Sequence, residues 1–311
     1  MKSQQGLALI VALLVVALTA TIAAALMRGE SVWFKESANV RALSQAHAAM
    51  DGAFRLAAVE ATEEGRHDQI DDLTERWAQP LPRFPVAGGT VHARLSDPQG
   101  RFNLNDLVVA GKEVPAAFAV FTRLLQLVGL NPALAQAVVA WEIPPGSPGG
   151  GFDAVYLGRR TPYRAGRQPL NGVSELRLVK GFSAKIVHKL RPYITALPFA
   201  TPINVDTAPA LVLAALCPGL TIKQAQILGD EAWRTPFAST AAFQQALPQG
   251  VQPSYQVAVQ TNYFLAHVTA RFGGLIVRRR ALLYRAVRGQ TTVILWQEAL
   301  WEHRRIAHTH T

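Results

Sequence analysis

The sequence predicts an α+β chain: a long N-terminal helix packed on an antiparallel sheet, with a large all-helical block inserted between the strands. Three observations predict it. Residues 7–27 carry no charged side chain and no proline precedes Pro80, so a single helix from about Leu7 to Glu64 meets no breaker. Phe264, Ala266, Val268, Ala270 and Phe272 alternate with Leu265, His267, Thr269 and Arg271, the period of two of a strand with one buried face. Between residues 110 and 250, apolar residues recur at helical spacing and are punctuated by Gly and Pro.

The uncharged run is 21 residues long. As a helix it reaches roughly 30 Å, the thickness of a bilayer's hydrocarbon core. Three readings fit it. A secretory signal peptide would be cut after the small residues Ala23–Ala25. An uncleaved anchor needs no processing. The third starts from the short basic leader Lys2-Ser3-Gln4-Gln5-Gly6, which ends in glycine directly before Leu7. That arrangement resembles the leader of type IV prepilins and type II secretion pseudopilins. The resemblance implies cleavage after Gly6 by a prepilin peptidase and methylation of Leu7 as the new N-terminus. Beyond the run, Val40, Leu43, His47, Met50, Phe54 and Ala57 recur at steps of three and four. They are expected to form one mostly apolar face, covered by the chain's own head or by neighbouring helices, with His47 a partly buried packing residue. Leu7 to Glu64 would span roughly 85 Å.

Pro80, Pro82 and Pro85 mark a loop, and Val86–Leu95 reads as a hairpin turning at Gly88-Gly89. Asp97-Pro98-Gln99-Gly100 is turn chemistry. Phe118, Phe121, Leu124, Leu125 and Val128 form a helical stripe stopped by Gly129, and Asn131-Pro132 opens a further helix. After a Gly/Pro-dense loop from Pro144 to Pro169, two helix–hairpin–helix-like units follow. One reverses at Lys180-Gly181-Phe182. The other, with Thr207 as N-cap, reverses at Pro218-Gly219-Leu220 before Thr221 caps its second helix. Tyr263–Trp296 reads as a three-stranded meander. The boundaries read are 1–6 leader, 7–27 membrane part of the helix, 28–109 rest of helix and first part of the head, 110–250 helical insertion, 251–302 closing strands and 303–311 tail.

Charged residues make up 17% and hydrophobic ones 50% of the 311, a composition that folds. The lone Cys217 excludes an intramolecular disulfide and is expected to be buried beside Leu213 and Leu216. The net charge of +10 raises the alternative of a membrane-anchored helix–hairpin–helix protein that binds nucleic acid in a competence-like system. Only Lys223 flanks the second hairpin turn, however, and phosphate contacts need several cations. Between Tyr255 and Thr311, eight Lys and Arg face two acids in strand-like segments, read as a solvated sheet face. No nucleic acid is therefore expected. Catalysis is not expected either: HExxH, GxSxG, phosphate-loop and dinucleotide patterns are absent.

Further landmarks are Arg101-Phe102-Asn103-Leu104-Asn105, Pro162-Tyr163-Arg164, Ser174–Val179 and Ile203-Asn204-Val205-Asp206-Thr207-Ala208-Pro209. In this order, behind the leader, they resemble the K-type minor pseudopilins of type II secretion. The resemblance implies a pilin-like head with a large helical insertion and a non-enzymatic subunit at the pseudopilus tip. It implies partners among the other minor pseudopilins, the major pseudopilin, the prepilin peptidase and the inner-membrane platform. It also implies a single-pass inner-membrane protein with its head in the periplasm. Val11 fits, standing where assembling pilins place a glutamate, a costly residue in lipid unless paired. Some members of the family bind calcium in an acid-rich loop. Here Ala140 takes the Asp position before Trp141, and Glu142 and Asp153 remain beside Pro144, Pro145 and Phe152. Two acids fall short of the roughly six to eight oxygens calcium takes, so no cofactor and no metal are expected.

Overall fold

In the computed structural model the described residues are 3–67, 69–79, 84–144, 153–287 and 289–300; the side chains of 3–8, 25–32 and 67 also lie outside the description. Helix α1 spans Ser3–His67, 65 residues and roughly 100 Å. Its second half lies across a sheet. The strands are β1 (Phe84–Val86) and β2 (Gly89–Ser96), joined through Gly88 at φ +87°, and later β9, β10 and β11. Between them run β3 (Phe102–Asn103), β4 (Val108–Val109), β5 (Lys112–Glu113), α2 (Pro115–Leu127), α3 (Leu134–Glu142) and α4 (Ala154–Leu157). Then come α5 (Ala184–Leu190), β6 (Ile194–Thr195), β7 (Ile203–Asn204), α6 (Ala210–Leu216), α7 (Ile222–Arg234), α8 (Thr240–Ala246) and β8 (Val257–Ala258). The meander β9 (Tyr263–Phe272), β10 (Leu275–Tyr284) and β11 (Val293–Ala299) closes the chain. The sheet order is β1-β2-β9-β10-β11, antiparallel throughout.

Among the described residues two large cores result, with a small third cluster in which Leu197 of the inserted block meets Tyr263 and Leu282 of the sheet. The first joins α1 to one sheet face through Ala42, Ala46, Met50, Phe54, Ala57 and Ala61, against Phe264, Ala266, Val268, Ala270 and Phe272. The face expected from the sequence is shifted: Val40, Leu43 and His47 are exposed, whereas Met50, Phe54 and Ala57 are buried. Alanines fill the remaining positions because their small side chains let helix and sheet approach closely. The second core runs from Phe102 to Val259 and belongs to the chain between β2 and β9. Helices dominate this part, and the two-residue strands pin it: β3 pairs with β6, and β7 with β8, both parallel.

Local chemistry explains the helix ends. Pro115 opens α2, and Gly129 at φ +71° ends that segment. Thr221 and Gln224 form a reciprocal capping box at α7, after Gly219 turns the chain at φ +89°. The first hairpin unit differs from its pattern, since Val173–Leu178 winds as a 3₁₀ helix. Thr207 also departs from its expected part. Its hydroxyl donates to Asp97 Oδ2 at 2.7 Å, and Pro209 stands at the start of α6.

The block between β2 and β9 leaves the sheet at one particular end. The Gly88 and Gly273-Gly274 turns lie beside Gln45 and Ala42, toward the N-terminal side of α1. At the other end Thr62 bonds Thr292 and Arg285 bonds the carbonyl of Ala61. β2 finishes and β9 starts at this second end, so the inserted block lies away from the N-terminus of α1.

Candidate functional site

Among the described residues the features open to function are the surfaces and the contacts that hold them. Among the described residues the apolar N-terminal part of α1 is open: Leu9, Ile10, Val11, Leu13 and Leu14 are each more than half exposed. Farther along, Trp33 and Phe34 are 76% and 81% exposed, followed by Val40 and Leu43. Water disfavours this much exposed apolar surface, which marks a site for lipid or protein contact. Among the described residues no helix is long and apolar enough to cross a membrane. The membrane reading rests on residues 7–27, and the side chains at both ends of that run lie outside the description. Gly6 and Leu7 fall within the bounds of α1, with the surroundings of the Leu7 side chain outside the described residues.

The landmark segments form a buried polar hub. Asn103 donates to Asp106 Oδ1 at 2.8 Å and to the Phe199 carbonyl at 2.9 Å, and it accepts from the Leu197 amide. Asn105 donates to the carbonyls of Leu170 and Leu197 and accepts from the Leu170 amide. Asn204 donates to the Asp71 carbonyl and to Asp97 Oδ2, at 2.8 and 2.9 Å. Asp206 accepts from the Phe237 amide. These asparagines satisfy buried backbone groups where no regular ladder reaches. Tyr163 serves likewise, packing beside Trp141 and Tyr156 and donating to the Leu178 carbonyl at 2.7 Å.

Arg285 was expected on a solvated sheet face and is instead fully buried. Its Nη2 lies 2.6 and 2.7 Å from the two Asp71 carboxylate oxygens and also donates to the Thr261 carbonyl, while Nη1 donates to the carbonyl of Ala61. Its guanidinium also lies 4.9 Å from the centroid of Phe264. One side chain thus ties the end of α1 to the chain segments that flank both cores. Asp97, buried beside Asn204 and Thr207, is pushed up to about 6 by burial.

The two acids considered for calcium do not come together. Asp153 pairs with Arg167 at 2.9 Å. Among the described residues neither carboxyl oxygen of the buried Glu142 is hydrogen-bonded, and burial, with Asp106 nearby, pushes it up to about 8. A carboxyl in that state is protonated at neutral pH and is a poor calcium ligand. Residues 145–152 of this loop lie outside the described residues. Among the described residues no cluster of His, Cys, Asp and Glu is arranged to hold a metal ion. Cys217 is a free, buried thiol, pushed up to about 12 by burial.

Comparison with known proteins places this architecture. The family described as "Type II secretion system (T2SS), protein K" matches residues 100–199 and 203–263. A type II secretion system protein K of Pseudomonas aeruginosa is 34% identical, over 93% of this chain and 90% of that protein. The chain belongs to the type II secretion system protein K family. A protein K of Klebsiella pneumoniae is 33% identical over 90% of this chain and 92% of its own. The crystal structure of the GspK-GspI-GspJ complex from enterotoxigenic Escherichia coli contains a chain with the same fold. Its TM-score is 0.70 at 22% identity, covering 86% of this chain and 100% of that one. The protein K family is a structural part of the secretion machinery, and the α+β fold with a long helix on an antiparallel sheet is the family's. Within it, the asparagine landmarks act as scaffold. Their roles were not readable from the sequence because their bonding partners lie far along the chain.

Proposed function

We propose that this chain is a non-enzymatic minor pseudopilin at the tip of the type II secretion pseudopilus, helping to initiate its assembly and so protein export across the outer membrane. The observation that carries this reading is the placement of the inserted block at the end of the head away from the N-terminus of α1. A subunit whose helix runs down a filament core would carry that block upward, over the position of the next subunit. The exposed apolar part of α1 supports the lower half of the reading, because neighbouring helices and lipid are the environments that cover such a surface.

In this reading the prepilin peptidase cuts after Gly6, Leu7 becomes the methylated N-terminus, and the helix anchors the chain once in the bacterial inner membrane with its head in the periplasm. Other minor pseudopilins, the major pseudopilin and the inner-membrane platform are its partners. The GspK-GspI-GspJ assembly of the similar structure supports the first of these. Val11 carries no acid for a self-assembling contact, so the chain depends on its partners to enter the filament. The test is to express the full chain with and without the other minor pseudopilins and to image membrane-extracted material. A defined complex with about one copy of each partner is expected. Filaments made of this chain alone would contradict the tip assignment.

A further inference from the structure

A cleft of about 1050 Å³ separates the outer sheet face, opposite α1, from the inserted block. The inserted wall is made by residues 168–175, the end of α5 with Arg191, and Ile194–Pro198. The floor follows from strand register. Arg94 on β2 pairs with His267 on β9, which pairs with Arg280 on β10, so the three side chains form one row on the same face. At that spacing neighbouring side chains meet. In the adjoining row Leu282 is buried against Leu197 of the inserted block, and Leu265 and Trp296 beside it are apolar and partly exposed. Arg101 enters from the inserted side.

The cations of this cleft outnumber the acids free to answer them. Arg280 is paired with Glu298 at 2.6 Å, and Glu175 accepts bonds from Asn171. Among the described residues the guanidinium groups of Arg94 and Arg101 make no hydrogen bond or ion pair, and the nearest acid to act on Arg101 is the buried Asp97. Arg101 is partly buried, and burial pulls its guanidinium below the ordinary value. His267 reports the same convergence: burial, then the charges of Arg94, Arg280 and Arg101, push it down to about 4. Like charges gathered in a concave, partly dry site attract an anion. The apolar row beside them extends the site well beyond the size of a simple ion.

We propose that this cleft binds an extended acidic peptide segment of a partner protein, its carboxylates set against Arg94 and Arg101 and its apolar side chains against the part-exposed Leu265 and Trp296. Guanidinium–carboxylate pairs supply direction, and the apolar row supplies contact area. The inference goes beyond the tip assignment and does not depend on where in the filament the chain stands.

The experiment uses the full chain in detergent micelles with a fluorescently labelled peptide of alternating Glu and Leu, followed by anisotropy. The matched Gln-Leu peptide should bind about tenfold more weakly. Arg94→Gln, at an exposed position, should keep the melting temperature and weaken the acidic peptide several-fold. Adding Arg101→Gln should bring the loss to about tenfold, and Lys223→Gln, outside the cleft, should change nothing. Should the double variant fail to fold, Arg94→Gln against Lys223→Gln decides alone. Equal binding of the two peptides, or equal losses from Arg94→Gln and Lys223→Gln, would overturn the proposal. So would tighter binding of a single-stranded oligonucleotide at the same arginines.

Discussion

Glu142 turns its carboxyl group into a core whose described residues offer neither oxygen a hydrogen bond. Its folded value near 8 lies above the ordinary 4.5, so between those pH values the folded chain holds more protons than the unfolded one. Stability from this group is complete below about 4.5 and lost as pH rises through about 8. Asp106 and Asp206, each pushed up to about 7 by burial, act in the same direction. Stability measured by denaturant should therefore fall from pH 5 to pH 9. Glu142→Gln should flatten the fall, adding about 1–2 kcal/mol at pH 8 and little at pH 5. An unchanged profile would show that Glu142 is solvated or partnered. Arg285 provides the opposite case, a buried charge with its partner in place. Arg285→Met should cost about 3–5 kcal/mol by stranding Asp71. Asp71→Leu with Arg285→Met should recover part of that in the same unfolding measurement.

Helix α1 separates two roles along one element. Met50 is fully buried against the sheet, whereas Leu43 is 41% exposed. Met50→Glu should unfold the helix–sheet packing, costing about 3 kcal/mol or more. Leu43→Glu should leave the melting temperature within a few degrees and weaken only association with the other minor pseudopilins. Loss of folding from Leu43→Glu would place the head contact on the wrong helix face. The sequence alone misplaced this face because Ala42, Ala46 and Ala61 give too weak an apolar signal beside Val40 and Leu43. The β9 alternation was legible because large side chains mark every buried position. The turns at Gly181 and Gly219 were legible too, since both need positive φ. Thr207 looked like a helix cap from its neighbours in sequence, yet its partner is Asp97, 110 residues away.

At the scale of the molecule, the two cores are joined by polar contacts that no local pattern announces. Asn204 links Asp97 and Asp71, and Arg285 reaches across 214 residues to Asp71. Sequence reading finds the asparagine segments as landmarks of a family. It does not find their bonds, because residues so far apart in the chain share no periodicity. The buried junction predicts one cooperative thermal transition for the head and insertion together. Asn204→Ala should lower it by about 1–3 kcal/mol, since it takes the Asn204 donor from the Asp71 carbonyl and from buried Asp97, which keeps the Thr207 hydroxyl and the Gln99 amide. Two resolved transitions in the unmodified chain would mean that the cores fold independently. The central claim is that α1 survives from Leu7 onward, with its exposed apolar part and its head-packed part in one mature helix. The mass and N-terminal sequence of the chain extracted from membranes test this most directly. The account predicts a chain that begins at methylated Leu7; a chain that begins near Leu26 would contradict it.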